Sequence, residues 1–234
     1  RRNTAYHESG HALVARLMPK TDPVHKVTVI PRGRALGVTM QLPENDRYSL
    51  DKERMLSTIA VLFGGRIAEE VFMHQMTTGA SNDFERATQI ARDMVTRYGM
   101  TDELGPMVYA ENEGEVFLGR SVTKTTNMSE ETMRKVDAVI RRIIDEQYAA
   151  ARKLIEENQD KIHAMAGALL EWLNTYTFVE EQKFGDVEHS TRIASCFFDE
   201  LVRHGTTTAA AYCSVHPESV DAFFSEAEKR NMLM

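Results

Sequence analysis

The 234-residue sequence has 42% apolar and 27% charged residues and a formal net charge of −7; this suits a globular chain and excludes wholesale disorder. The acidic excess, with Lys and Arg dispersed, argues for no nucleic-acid partner, because nothing would attract phosphates. Its two cysteines, Cys196 and Cys213, form no disulfide framework, no apolar run is long enough to cross a bilayer, and no secretory signal opens the chain.

In chain order, the spacing of apolar residues predicts a helix from Thr4, as its cap, to Leu17, ended by Pro19 and Pro23. His25 to Ile30 alternates and is β-branched, Pro31 to Arg34 makes a turn, and Val38 to Leu42 reads as a second short strand closed by Pro43. A hairpin or two strands of a small sheet follows. Helical spacing returns from Ser49 to Phe63 and is expected to stop at Gly64-Gly65, with a further helix from Ile67 to Met76.

Thr77 to Asn82 is a turn and cap cluster leading into a helix from Asp83 to Tyr98, and Gly105 to Arg120 reads as loop. Ser129 opens a long amphipathic helix to about Asn158, whose apolar stripe is packing surface, and Lys161 to Trp172 adds another. The fold class expected is mainly α with a small β-sheet. After Trp172 the character changes, with the low-complexity run Gly205 to Ala211, so 1–172 is expected to be one domain and 173–234 a divergent tail. The chain starts at Arg1, a few residues before its best motif, and is expected to be a piece of a longer protein.

That motif is His7-Glu8-Ser9-Gly10-His11. Histidines four apart lie on one helix face, one turn from each other, and can share one zinc ion. Glu8 then projects near the open side of the metal, placed to move a proton between water and a leaving amine. Gly10 costs the helix about 1 kcal/mol against Ala, which suits a crowded helix contact. Zinc needs a third protein ligand, and no His-x-x-Gly-x-x-His extension follows His11, so the metzincin pattern is excluded. Glu69, Glu70 and Asp83 are the candidates, with His25, His74 and His163 behind them, and spacing does not choose among them.

Five ordered blocks extend the pattern: Thr4-Ala-Tyr-His-Glu-Ser-Gly-His-Ala12, Asp22 to Gly37, Gly64-Gly-Arg-Ile-Ala-Glu-Glu70, Thr77-Thr-Gly-Ala-Ser-Asn-Asp83 and Gly114-Glu-Val-Phe-Leu-Gly119. Together, from about residue 1 to 172, they closely resemble the peptidase domain of the FtsH family of membrane-anchored AAA+ zinc metalloproteases. The resemblance implies that His7, His11 and Asp83 bind one Zn2+ per subunit, that Glu8 is the catalytic base, and that Glu69 orients a ligand histidine. It implies a mainly helical fold with a small sheet, and an edge strand that holds the substrate backbone, for which Val38, Thr39, Met40, Gln41 and Leu42 are the candidates.

The resemblance also implies an ATP-dependent, membrane-anchored parent that degrades unfolded or membrane-extracted polypeptides as a homo-hexamer at the bacterial inner membrane, its peptidase domain on the cytoplasmic side. ATP would be used only through an AAA+ module, because no G-x-x-x-x-G-K-[ST] phosphate loop occurs here, and the membrane would be met only through missing N-terminal segments. From Leu173 onward the sequence leaves the family pattern. The alternative reading is a non-catalytic assembly or regulatory subunit of such a ring.

Overall fold

The computed structural model describes residues 1–30, 36–43, 49–109, 128–209, 211 and 213–232. The turn at 31–34, most of the 105–120 loop and the Gly114 to Gly119 block therefore lie outside the described residues. The fold is mainly α with one two-stranded antiparallel sheet. The chain divides into two compact units, Arg1–Leu170 and Glu171–Met234. No helix among the described residues is long and apolar enough to cross a membrane.

In the first unit, α1 (Arg2–Leu17) buries nearly every residue from Ala5 to Ala15. Its N-cap is Arg1, without a side-chain cap bond, so Thr4 does not cap it. The sheet is β1 (Val24–Thr28) paired with β2 (Val38–Gln41) in the register Lys26↔Met40, Val27↔Thr39 and Thr28↔Val38. Between Val24 and Lys26 the register slips by a bulge at His25, which bends a strand and increases its twist. Leu42 falls just past β2, and its N–H donates to Pro23 O (3.2 Å).

Helix α2 (Lys52–Ala68) is the centre of the unit, packed by α1, α3 (Ser81–Thr96) and α4 (Glu130–Glu157). Asp51 caps it by accepting from Arg54 N (2.9 Å). Contrary to the expectation from Gly64-Gly65, α2 runs straight through both glycines. The reason lies in packing. A Cβ on Gly10 would lie 2.2 Å from Gly64 O, and one on Gly64 would lie 2.6 Å from Gly10 O. The pair lets the backbones of α1 and α2 touch, and the burial of that contact outweighs the weak helix propensity of glycine.

Instead of a fresh helix from Ile67, one π-helical turn (Glu69–Met73) continues α2 and ends at His74 with φ 52°. Such a turn shifts the helix register and rotates the side chains that follow it. A short 3₁₀ turn (Thr78–Ala80) then feeds α3. Ser129 caps α4, accepting from Thr132 N (3.2 Å), and the acidic pair Glu130 and Glu131 favours the positive end of the helix dipole. Val136, Val139, Ile140, Ile143, Ala151 and Ile155 form its buried face. Helix α5 (Gln159–Trp172) follows at once, burying Ile162 and Ala166.

The second unit is built of helices joined by turns among its described residues. A π-helical turn (Leu173–Thr177) and the short α6 (Phe178–Gln182) lead to α7 (Val187–Arg203) and α8 (Pro217–Lys229). Asp186 caps α7, and Pro217 opens α8 at the position where a missing N–H costs nothing. Ala194, Phe198 and Ala227 make the small core, with Leu201, Phe223 and Met232 against it. Arg230 ties the two helices together through Asp199 (2.8 Å) and Glu226 (2.6 Å).

A candidate metal centre between two helices

His7 and His11 lie one turn apart on α1, with their rings 4.7 Å apart at near right angles. Asp83 is in the first turn of α3, and its Oδ2 stands 3.6 Å from His7 Nε2 and 3.4 Å from His11 Nε2. One donor atom from each of the three lies within 4.8 Å of the others, the grouping of metal-ligating type found among the described residues. Spacing alone left Glu69, Glu70 and Asp83 open; the folded chain brings Asp83 to the two histidines.

The outer side of each ring is already engaged. His7 Nδ1 faces Glu69 Oε1 at 2.9 Å, and His11 Nδ1 faces the Val61 carbonyl at 2.8 Å. A carboxylate and a carbonyl only accept, so both Nδ1 atoms carry the proton and donate it. In the neutral rings both Nε2 atoms are then bare lone pairs, yet they face each other at 3.0 Å. Two lone pairs and a carboxylate oxygen converge stably only around something positive. Three such donors match the N and O set that zinc takes, with a further position left for solvent or substrate.

The acidic neighbours favour a protonated ring at His7. Burial works against a charge on His7, but Asp83, Glu69 and Glu8 outweigh it and push the ring up to about 9. Burial likewise works against charge on Asp83, and the contacts with His11 and His7 still hold its carboxyl well below the usual range. Glu69 is buried and kept ionised against that burial by His7 and by Thr77, whose N–H (3.1 Å) and hydroxyl (3.0 Å) both donate to it. Arg66 donates to Thr77 O (2.7 Å) and so fixes the loop that fixes Glu69.

Glu8 is 6% exposed, and its Oε2 accepts from the Thr39 hydroxyl at 2.6 Å. The remaining β2 candidates, Val38, Met40 and Gln41, lie along the strand, and Gln41 donates its side-chain amide to Asp22 O (2.7 Å). Glu70 turns to α4, accepting from Tyr148 (2.7 Å) and Arg152 (3.1 Å). His163 accepts from or donates to the Tyr6 hydroxyl (2.8 Å) and packs on Phe72, while His25 and His74 are exposed. None of these four joins the histidine pair.

Sequence reasoning missed Val61, whose role is played by its backbone and leaves no residue signature. It missed Thr77 as the donor behind Glu69. It also missed Gly65, where a Cβ would lie 2.5 Å from His11 Nε2 and 2.6 Å from His7 Nε2 and fill the centre. The Gly64-Gly65 pair is visible in the sequence, but the weak helix propensity of glycine points there to a helix stop.

Among known proteins, residues 1–181 match peptidase family M41. The chain is 66% identical over 172 residues to the ATP-dependent zinc metalloprotease FtsH of Cupriavidus metallidurans, which covers 74% of this chain and 26% of that protein. It is 56% identical over 171 residues to the protein of the same name from Acidobacterium capsulatum, covering 73% and 27%. The ATP-dependent zinc metalloprotease FtsH 1 of a Thermoanaerobacter species is 54% identical over 167 residues, covering 71% and 27%. The chain thus spans about a quarter of the length of these relatives.

Proposed function

The chain belongs to peptidase family M41, and on that footing we propose that it is the zinc-dependent endopeptidase part of an ATP-dependent protease. His7, His11 and Asp83 would hold the metal, and the observation that carries this reading is the pair of bare Nε2 atoms facing one carboxylate with their outer sides already spent. Zinc held there would lower the pKa of a water towards 7 and polarise the scissile carbonyl.

The chain's own residues do the rest. Glu8, next to His7 on α1, takes a proton from the attacking water and delivers it to the leaving amine. Glu69 holds the His7 tautomer that leaves Nε2 free, and the Val61 carbonyl does the same for His11. β2 pairs with β1 on one side only among the described residues, so its other edge is the place for an extended substrate backbone, with Val38 to Gln41 as the register. Leu42 has already given its N–H to Pro23 and contributes less.

The relatives are named ATP-dependent, and the parent we propose is correspondingly a membrane-anchored homo-hexamer acting on unfolded or membrane-extracted polypeptides. Its place would be the bacterial inner membrane, with this domain on the cytoplasmic side. ATP binding would belong to an AAA+ module outside these residues.

The test pairs metal content with cleavage of casein by the ATPase-containing parent. Glu8→Gln is expected to keep one zinc per chain and lose about a hundredfold or more in rate, and Asp83→Ala to lose the zinc itself. Full cleavage by the Glu8→Gln protein would overturn the assignment.

A further inference from the structure

Two residues of the β2 segment close around the Glu8 carboxylate. The Thr39 hydroxyl has one proton and two acceptors in reach, Glu8 Oε2 at 2.6 Å and the Glu8 backbone carbonyl at 3.1 Å, and the shorter contact is to the carboxylate. On the other oxygen, a Cβ on Gly37 would lie 2.7 Å from Oε1 and 2.8 Å from Cγ. Among the described residues Thr39 is the side-chain donor that this buried carboxylate finds. A glutamate carboxylate, with three rotatable bonds on a packed helix, would otherwise choose among several rotamers.

We infer that Thr39 is a positioning residue for the general base: its hydroxyl, together with the space kept open at Gly37, sets the Glu8 carboxylate at one oxygen and leaves the other free to move the proton. The inference rests on Glu8 being the base. It also gives β2 a second duty. The strand proposed to take the substrate backbone carries, in Thr39, the contact that sets the base, so the position of the strand is passed to the proton-transfer atom. A group held in line for proton transfer loses rate steeply when it drifts.

The experiment compares Thr39→Val, which keeps shape and β-branching without the hydroxyl, with Thr39→Ser, which keeps the hydroxyl. Both are measured in the zinc-loaded, ATPase-containing parent on a short fluorogenic peptide. Thr39→Val is expected to lower kcat about tenfold with KM within about twofold, the signature of a contact made for the transition state. Zinc content and melting temperature should stay at wild-type values, and Thr39→Ser should recover most of kcat.

A second readout needs no turnover. Binding of a hydroxamate, which chelates the metal and hydrogen-bonds the base, should weaken about tenfold in Thr39→Val, but should be indifferent to that change when Glu8 is already Gln. If Val disturbs the strand, seen as lost zinc or a lowered melting temperature, Gly37→Ala crowds Oε1 from the other side and is expected to cut kcat with zinc retained. Wild-type kcat in Thr39→Val, or in Gly37→Ala where Val fails, sinks the positioning role while an inactive Glu8→Gln protein leaves the base assignment standing. An active Glu8→Gln protein sinks both.

Discussion

Glu69 shows how much a single side chain behind a proposed ligand can decide. It accepts from His7 Nδ1 at 2.9 Å and from both donors of Thr77. Glu69→Gln keeps the shape but removes the charge that fixes the His7 tautomer, and zinc affinity is expected to fall about 10- to 100-fold in a chelator competition. The pH dependence of the metal-free chain follows from the same neighbours. His7 is raised from its ordinary 6.5 to about 9 in the fold, so its stabilising contribution is fully present below 6.5 and is lost as pH rises through 9. Asp83 is depressed, so its contribution is present above the ordinary carboxylate range and is lost only as pH falls well below it. Metal-free protein is therefore expected to melt progressively earlier between pH 6.5 and 9, a trend that scanning calorimetry reads and that zinc loading should flatten. Zinc affinity should climb over the same window, since one proton must leave for the metal to bind. The histidine pair was plain in the sequence because i, i+4 spacing is local. Asp83 was not settled by spacing, because its place depends on how α3 packs on α2, and family resemblance singled it out where periodicity could not.

Among the elements, the α1–α2 crossing is the contact most sensitive to a single carbon. Gly64→Ala would put a Cβ 2.6 Å from Gly10 O, and an overpacked backbone contact of this kind costs about 1–3 kcal/mol. Gly167→Ala in α5 meets nothing within 4 Å and is expected to gain about 1 kcal/mol from helix propensity alone. Urea denaturation of the two variants should move in opposite directions; equal shifts would contradict the packing account. The contrast also shows why the end of α2 was hard to read. Propensity rules treat every mid-helix glycine alike, whereas Gly64 is retained for an approach that only the folded chain displays. Local rules did well where local chemistry decides, as at Ser129 capping α4 and in the alternating β strands. They failed at Thr4, where the helix already begins at Arg2 without a side-chain cap, and at Ile67, where a π-helical turn continues α2 in place of a fresh helix.

For the molecule as a whole, every residue assigned to the metal centre lies in the Arg1–Leu170 unit. Phe198 is fully buried in the other unit, and Phe198→Ala is expected to cost about 3–5 kcal/mol there while zinc affinity stays at the wild-type value; hydrogen exchange and metal titration check the two halves of that statement. An ion held by positions 7, 11 and 83 would also fasten the chain into a ring enclosing both strands and all of α2. Because the native fold alone offers that site, zinc at a hundred times its dissociation constant adds about 2.7 kcal/mol to stability. Losing the ion therefore does more than empty the site: the chain gives up the loop closure and the added stability together, and stands correspondingly nearer its unfolded state.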